Sequence, residues 1–221
     1  MRPHPLLVQL AMTMTMVLWG VSFVASKIVL DRIGPIPYMG IRFLLAAIVL
    51  VGVLLLSGRP RFGRSTHALI ALTALSEPIA YFLFESYGLR IIGATTTSLI
   101  IALIPLAVMV LAALFLGEPL HVRAIVAVFV SIGGIVLLVY GGAPVEQIAA
   151  DGIPAVPGDR IRGTLLVLGA VFAAAGYITL ARSLTQKHAP LHITVFQTWW
   201  GAGFFVVLWQ IHSPGLATVR G

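Results

Sequence analysis

Long apolar segments follow one another along almost the whole chain, and they restrict the folds that it can adopt. Each is near the ~20 residues that cross a hydrocarbon core. The bilayer core holds no water, so the peptide groups of a spanning segment must be hydrogen-bonded within a helix. We therefore expect an all-α, polytopic membrane helix bundle with about seven transmembrane helices. The predicted spans are 6–27, 36–57, 67–89, 93–116, 123–141, 163–182 and 191–211.

The balance of residue types agrees with a membrane-embedded protein. Hydrophobic residues make up 59% of the chain and charged residues only 10%, against about 25% charged in a soluble domain. The net charge of +7 is spread between the spans without a basic stripe, so we expect the lipid bilayer as a partner and no nucleic acid. The chain has no cysteine, which excludes disulfides, thiol catalysis and cysteine-ligated metals.

An internal repeat lies under a shift of 155 positions, which aligns 19–43 with 174–198 without a gap. Five predicted spans separate the starts of the two copies. Because five is odd, the second copy enters the membrane in the opposite direction, which makes an inverted-topology repeat of the kind found in transporters. The shift aligns three informative pairs: Lys27 with Arg182, Pro35 with Pro190, and Arg42 with Gln197.

The repeat also predicts the domain organisation. The first five-helix repeat covers 1–141, and an irregular linker rich in glycine and proline covers 142–162. The second repeat starts at 163 and supplies two helices up to 221. A full second copy would need about three more helices, so we expect it to be incomplete in this sequence.

Two acids lie inside the third span, at Glu77 and Glu85, with Tyr81 four residues from each. An ionised side chain at the bilayer centre costs about 2.5–3.5 kcal/mol on insertion scales. The three residues form a slanting polar stripe that should face the bundle interior. Two interpretations remain open: a substrate or proton pathway, or neutral or paired carboxyls that only join helices.

Two prolines stand near the middle of adjacent spans. Pro78 follows Glu77 directly, and Pro105 lies midway along the fourth span. Each removes a helical hydrogen bond and can bend its helix, and bends at one depth beside an acid suggest a binding cavity. Ordinary tolerated membrane prolines are the alternative. Ser98 either faces this cavity or caps its helix, and Trp19 either lines the pathway or fills a gap in the core.

The cations beside the first loop have two interpretations. Lys27 and Arg42 flank that loop, and long basic side chains at helix ends commonly reach lipid headgroups. Arg42 is also placed to pair with Asp31 or with an intramembrane carboxylate. With the N-terminus inside, seven cations lie on the cytoplasmic side and six on the outer side, which is nearly a tie. The concentration of Arg59, Arg61 and Arg64 in one loop favours an N-terminus inside the cell.

Enzyme and metal motifs do not occur in the sequence. There is no nucleophile elbow, zinc-protease motif, P-loop or dinucleotide fingerprint. His188 and His192 are four residues apart, but Pro190 lies between them at a helix boundary. We therefore expect no catalysis, no cofactor and no metal site.

Several short motifs occur in order along the chain: Leu18–Phe23 with Lys27, Pro35 and Arg42-Phe43; Phe84–Arg90 with Gly93–Thr95; Pro105; Leu116–Leu120; Gly133-Gly134; and the segment 163–197. Together they resemble the EamA domain of the drug/metabolite transporter superfamily, with 163–197 as the start of a second domain. The resemblance implies ten helices in two inverted five-helix domains, with both termini inside, and export or exchange of small metabolites. Trp19, Glu85 and Ser98 match positions on the family's pathway helices, and Glu118 matches a motif that constrains a loop or helix end.

The function expected from these features is secondary transport by alternating access. The protein would export small metabolites or drugs across the cytoplasmic membrane. The sequence does not identify the substrate. A truncated, non-transporting membrane interaction or assembly protein is the alternative. Self-association into a homodimer is left open.

Overall fold

The computed structural model describes residues 5–58, 60, 62–117, 119, 122–140 and 157–212. This part of the chain is helical and contains no strand, which confirms the all-α prediction. Most of the predicted linker 142–162, namely 142–156, lies outside the described residues. The helices are α1 (Pro5–Ile33), α2 (Pro35–Ser57), α3 (Arg64–Ala74), a π-helical segment (Leu75–Ala80), α4 (Tyr81–Ile101), α5 (Ile104–Leu116), α6 (Val122–Tyr140), α7 (Pro157–Thr185) and α8 (Pro190–His212).

The described helices agree with seven membrane passes. Five helical stretches are long and apolar enough to span, and two shorter apolar helices lie at Ile104–Phe115 and Ile125–Gly134. One stretch, Arg64–Ile101, has 38 residues, which is too many for a single pass. Gly93 interrupts it with a non-helical backbone (φ 78°, ψ 169°). The third pass therefore ends beside Gly93, and the fourth continues from there through α5.

Contacts with α7 show that the chain reverses at Gly93. On the third pass, Gly88 packs against Val167, whereas Ser76 Oγ donates a hydrogen bond of 2.7 Å to the carbonyl of Ala173. Residues earlier in this pass thus contact residues later in α7, so the two helices run antiparallel. On the fourth pass the order is the opposite, and that pass is parallel to α7. Ala107 of the fourth pass lines one surface cavity together with Val171 of α7, and Ala112 lines another together with Ala181.

Helix α1 ends at the same end of the bundle as the third pass, because Lys27 Nζ donates a hydrogen bond of 2.9 Å to the carbonyl of Arg90. We call this the Gly34 end, after the glycine between α1 and α2. Since α1 is parallel to the third pass and α7 is antiparallel to it, α1 and α7 cross the bundle in opposite directions. This is the relation that an inverted-topology repeat requires.

Helix α8 is antiparallel to α2. The rings of Phe43 and Phe205 stack with centroids 5.1 Å apart, and Gly40, earlier on α2, packs against Trp209, later on α8. The start of α8 lies at the other end of the bundle, where the rings of Phe62 and His188 meet at 4.9 Å. We call this the Pro190 end.

The core lies where α7 and α8 pack on the third pass. The fully buried side chains include Ile70, Leu89, Val167, Ala170 and Phe205. The first half of α1, residues 6–21, is exposed at every position. Helix α7 begins at Pro157, six residues before the predicted repeat boundary at 163. Proline is favoured at the first position of a helix, and α7 also carries Asp159 in its first turn.

Candidate functional site

The third pass is broken at its centre, beside the first acid. Glu77 has non-helical backbone angles (φ −142°, ψ 121°), and the π-helical segment that contains it separates α3 from α4. Pro78 supplies no N–H and its ring cannot fit a continuous helix. Gly201 of α8 packs directly on Pro78, with the ring of Phe43 beside it. The break is therefore enclosed by helices from both ends of the chain.

Helix α4 carries a group of buried polar atoms that no described residue satisfies. Glu85 is 4% exposed and Tyr81 is 3% exposed. Buried polar atoms in folded proteins are nearly always hydrogen-bonded, so each unsatisfied atom is a candidate contact for a polar ligand or a proton. The atoms are Tyr81 Oη, Glu85 Oε2, Ser86 Oγ and Thr97 Oγ1.

Arg42 reaches this group from α2. Its guanidinium carbon lies 4.5 Å from the centre of the Phe82 ring, and it interacts electrostatically with Glu85. Arg42 Nη1 also donates a hydrogen bond of 2.8 Å to Tyr38 Oη, whose oxygen lies 2.6 Å from Ser26 Oγ. A cation, an acid and two phenol hydroxyls thus lie together inside the bundle.

Of the two interpretations of Arg42, the structure places its side chain inside the bundle. Asp31 is not its partner, because Lys27 Nζ forms an ion pair of 2.7 Å with Asp31 Oδ1. Lys27 also hydrogen-bonds the carbonyl of Arg90. The two cations beside the first loop therefore have different surroundings: Lys27 ties α1 to the third pass at the Gly34 end, and Arg42 lies deeper.

A second polar cluster lies on the other side of the break. Gln197 Nε2 on α8 donates a hydrogen bond of 2.8 Å to Thr73 Oγ1 on α3, and Tyr177 Oη on α7 donates one of 3.4 Å to Gln197 Oε1. Thr73 is completely buried and Gln197 is 5% exposed. Glu77, which is half-buried, interacts electrostatically with Tyr177 as well as with Glu85. The acids thus connect the two polar clusters.

The sequence-predicted site residues are only partly brought together. Glu77, Tyr81 and Glu85 lie along one pass, but the non-helical backbone at Glu77, beside Pro78, interrupts the helical spacing that predicted a continuous stripe. Trp19 does not reach them: it is 43% exposed on α1, and its ring contacts Phe23 at 6.2 Å. Phe23 itself is buried in the same cluster as Tyr81.

The fourth pass contributes in a different way. It is also interrupted, at Ala102–Leu103, and Pro105 is the second residue of the helix that follows. The side chain of Pro105 is exposed. Ser98 is half-buried, and its hydroxyl donates to the carbonyl of Thr95 on its own helix. Its neighbour Thr97 is completely buried, with an unsatisfied hydroxyl.

Some residues of the site were missed from the sequence. Thr73, Tyr177 and the Ser26–Tyr38 pair carried no motif, and Gln197 was noticed only as the repeat partner of Arg42. Their common signal is a polar side chain inside an apolar span, which by itself does not reveal the partner. Glu118 lies outside the described residues. Within the described ranges, no group of three or more histidines, aspartates and glutamates is placed to hold a metal ion.

The chain is similar to several proteins that are named as transporters. The chain is 26% identical over 185 residues to an "uncharacterized transporter" of Archaeoglobus fulgidus, covering 84% of this chain and 61% of the relative. It is 23% identical to the "uncharacterized transporter YetK" of Bacillus subtilis, covering 90% of this chain and 58% of the relative. It is 26% identical to a "probable terminal-alkyne amino-acid exporter" of Streptantibioticus cattleyicolor, covering 94% and 66%.

The chain thus spans about three-fifths of the length of the curated relatives it matches. No solved structure matches it. The model of the EamA-like transporter family matches residues 6–140, which include the break at Glu77 and the buried Glu85. Because that match covers more than half of the sequence, the chain belongs to the EamA-like transporter family.

Proposed function

We propose that this protein is a secondary transporter that exports small metabolites or drugs across the cytoplasmic membrane by alternating access. Substrate or a coupling proton binds at Glu85, Glu77 and Tyr81, beside the break in the third pass. The N-terminus lies on the cytoplasmic side. The lipid bilayer and a small-molecule substrate are the partners, and self-association into a homodimer stays a prediction. No chemical conversion is part of the proposal.

The observation that carries the proposal is the buried carboxyl of Glu85, whose Oε2 has no described hydrogen-bond partner. An acid within the membrane is costly, and such residues face a bundle interior or a water-filled path and mark substrate or proton routes. Glu85 fits that description because it is 4% exposed and its Oε2 has no described partner. A purely structural carboxyl would be expected to have both oxygens bonded.

The charges around the site favour a small molecule with both an amine and a carboxylate. Arg42 offers a cation to a carboxylate, and Glu85 and Glu77 offer acids to an amine. The Streptantibioticus relative is named as an exporter of an amino acid, which agrees with this chemistry. Tyr81 and Phe82 supply an apolar wall for a side chain. We therefore propose amino-acid-like compounds as the first substrates to test.

The test is exchange transport in proteoliposomes. The protein is reconstituted with L-propargylglycine inside, and entry of the radiolabelled compound and of protons, the latter with a trapped pH-sensitive dye, is measured. We expect exchange above protein-free liposomes, and a loss of at least ten-fold in Glu85→Gln. Asp159→Asn is the matched control, because it neutralises an exposed acid in the first turn of α7; its exchange rate should equal that of the unmodified protein.

Two outcomes would contradict the proposal. One is an exchange rate in Glu85→Gln equal to that of the control, with proton movement unchanged, which would remove Glu85 from the pathway. The other is an absence of exchange for every member of a panel of amino acids, amines, sugars and hydrophobic drugs in correctly folded protein. That second result would argue for a protein that assembles with others in the membrane without transporting.

A further inference from the structure

The repeat places two polar residues at equivalent positions of opposite halves. The 155-residue shift aligns Arg42 with Gln197, and each lies seven positions after the proline that begins its helix, α2 or α8. With a rise of about 1.5 Å per residue, each is therefore about 10 Å inside the bundle. Because α2 and α8 are antiparallel, the two depths are measured from opposite ends.

Arg42 and Gln197 contact different halves of the third pass. Arg42 bonds Tyr38, which meets Ser26 of α1, and stacks on Phe82 near Glu85. This set joins the first two helices of the first repeat to the part of the third pass nearer the Gly34 end. We name Ser26, Tyr38 and Arg42 the Gly34-end cluster.

The second set repeats this relation at the opposite end. Gln197 bonds Thr73 of α3 and accepts a hydrogen bond from Tyr177 of α7, close to Glu77. It joins the first two helices of the second repeat to the part of the third pass nearer the Pro190 end. We name Thr73, Tyr177 and Gln197 the Pro190-end cluster.

We propose that Arg42 and Gln197 are gate-positioning residues, each closing one end of the site that contains Glu85 and Glu77. The proposal rests on the proposed function, since it assigns the two closures that alternating access needs. Both clusters are intact in the same structure, so the site is closed by polar contacts at both ends. Opening one end breaks that end's bonds and leaves the other cluster in place.

The proposal predicts side-specific changes in access. Losing the bonds of one cluster removes stabilisation of the closed state at that end alone. A net change of one or two hydrogen bonds shifts a two-state equilibrium by about five-fold or more. Simple loosening of the fold would instead increase access from both ends together.

The absence of cysteine in the sequence makes this measurable. Two reporters, Ser76→Cys and Ser86→Cys, are introduced one at a time on either side of the acids, and the protein is reconstituted in proteoliposomes. A membrane-impermeant maleimide is applied to one face of the membrane in one set of vesicles and to the opposite face in a second set. Arg42→Gln should increase labelling from the Gly34 end about five-fold or more, and Gln197→Ala should do the same from the Pro190 end only.

Two further variants test whether the change in labelling is specific to the gate residues. Tyr38→Phe removes the hydroxyl between Arg42 and Ser26 while keeping the ring, and it should increase labelling from the Gly34 end even if Arg42→Gln folds poorly. Arg32→Gln neutralises an exposed cation in the last turn of α1 and should leave labelling unchanged. Equal increases from both ends, or no change in Tyr38→Phe and Gln197→Ala, would overturn the proposal.

The outcome is separable from that of the transport assay. Exchange of substrate with unchanged labelling in all variants would remove the gate assignment and leave the proposed function standing. Side-specific labelling in a protein that exchanges no compound would support the two closures and remove the transport assignment.

Discussion

Gln197 and Thr73 are joined by a hydrogen bond of 2.8 Å across 124 positions of the sequence, between two completely or almost completely buried side chains. This bond restricts the rotation of α8 against α3, whose other contacts include the apolar pair Ile70 and Ile193. An apolar surface allows a helix to slide or rotate with little penalty, whereas a buried polar pair has one satisfied arrangement. The pair therefore determines which face of α8 meets the break at Glu77.

Thr73→Val is expected to lower the free energy of unfolding by about 1–3 kcal/mol, because the amide of Gln197 is left buried without its acceptor. Circular dichroism during denaturation with SDS in mixed micelles measures the change. Thr194→Val on α8 is the matched control, since its exposed hydroxyl bonds only the carbonyl of Pro190 on the same helix. A loss as large in Thr194→Val would show that the effect is not specific to the buried pair.

Gly201→Ala is expected to destabilise the protein by about 1–3 kcal/mol through overpacking. The added methyl would collide with Pro78 and press on the ring of Phe43. Gly203→Ala on the same helix meets no atom within 4 Å, so it should leave stability unchanged or raise it by up to about 1 kcal/mol. The same denaturation measurement compares the two variants, and an equal response would contradict the close contact.

Gly93→Ala is expected to lower the free energy of unfolding by about 1–3 kcal/mol, as the same denaturation measurement would show. The reason is that an L side chain rarely adopts the left-handed φ of 78° at this turn. Gly52→Ala on α2 has open space around it and helical angles, and serves as the control. If Gly93→Ala were as stable as Gly52→Ala, the reversal between the third and fourth passes would not depend on this backbone conformation.

Glu77→Gln is expected to reduce exchange transport less than Glu85→Gln does. Glu77 is half-buried at the break, whereas Glu85 is 4% exposed with an unsatisfied oxygen. Initial rates of L-propargylglycine exchange at several internal and external pH values separate a loss of substrate binding from a loss of proton coupling. A larger defect in Glu77→Gln would move the centre of the site to the break itself.

The passes and their order could be predicted from the sequence because the bilayer imposes them. An apolar stretch of about 20 residues has to be helical in a membrane, and the odd number of spans between the repeat copies fixed their opposite directions. The break beside Pro78 followed from the missing N–H of proline. Helical spacing placed Tyr81 and Glu85 four residues apart on α4, but the non-helical backbone at Glu77 interrupts the continuous stripe that the spacing predicted.

The sequence by itself therefore determined the helices, their alternating directions and the acids on the third pass. Only the tertiary structure decided which side chains surround those acids. Arg42 came to lie over the ring of Phe82, where it interacts electrostatically with Glu85, Gln197 bonded Thr73, and Trp19 stayed exposed on α1. The physical reason is that helix rotation and register depend on close contacts such as Gly88 on Val167 and Gly201 on Pro78. Apolar spans have no periodicity strong enough to specify those contacts in advance.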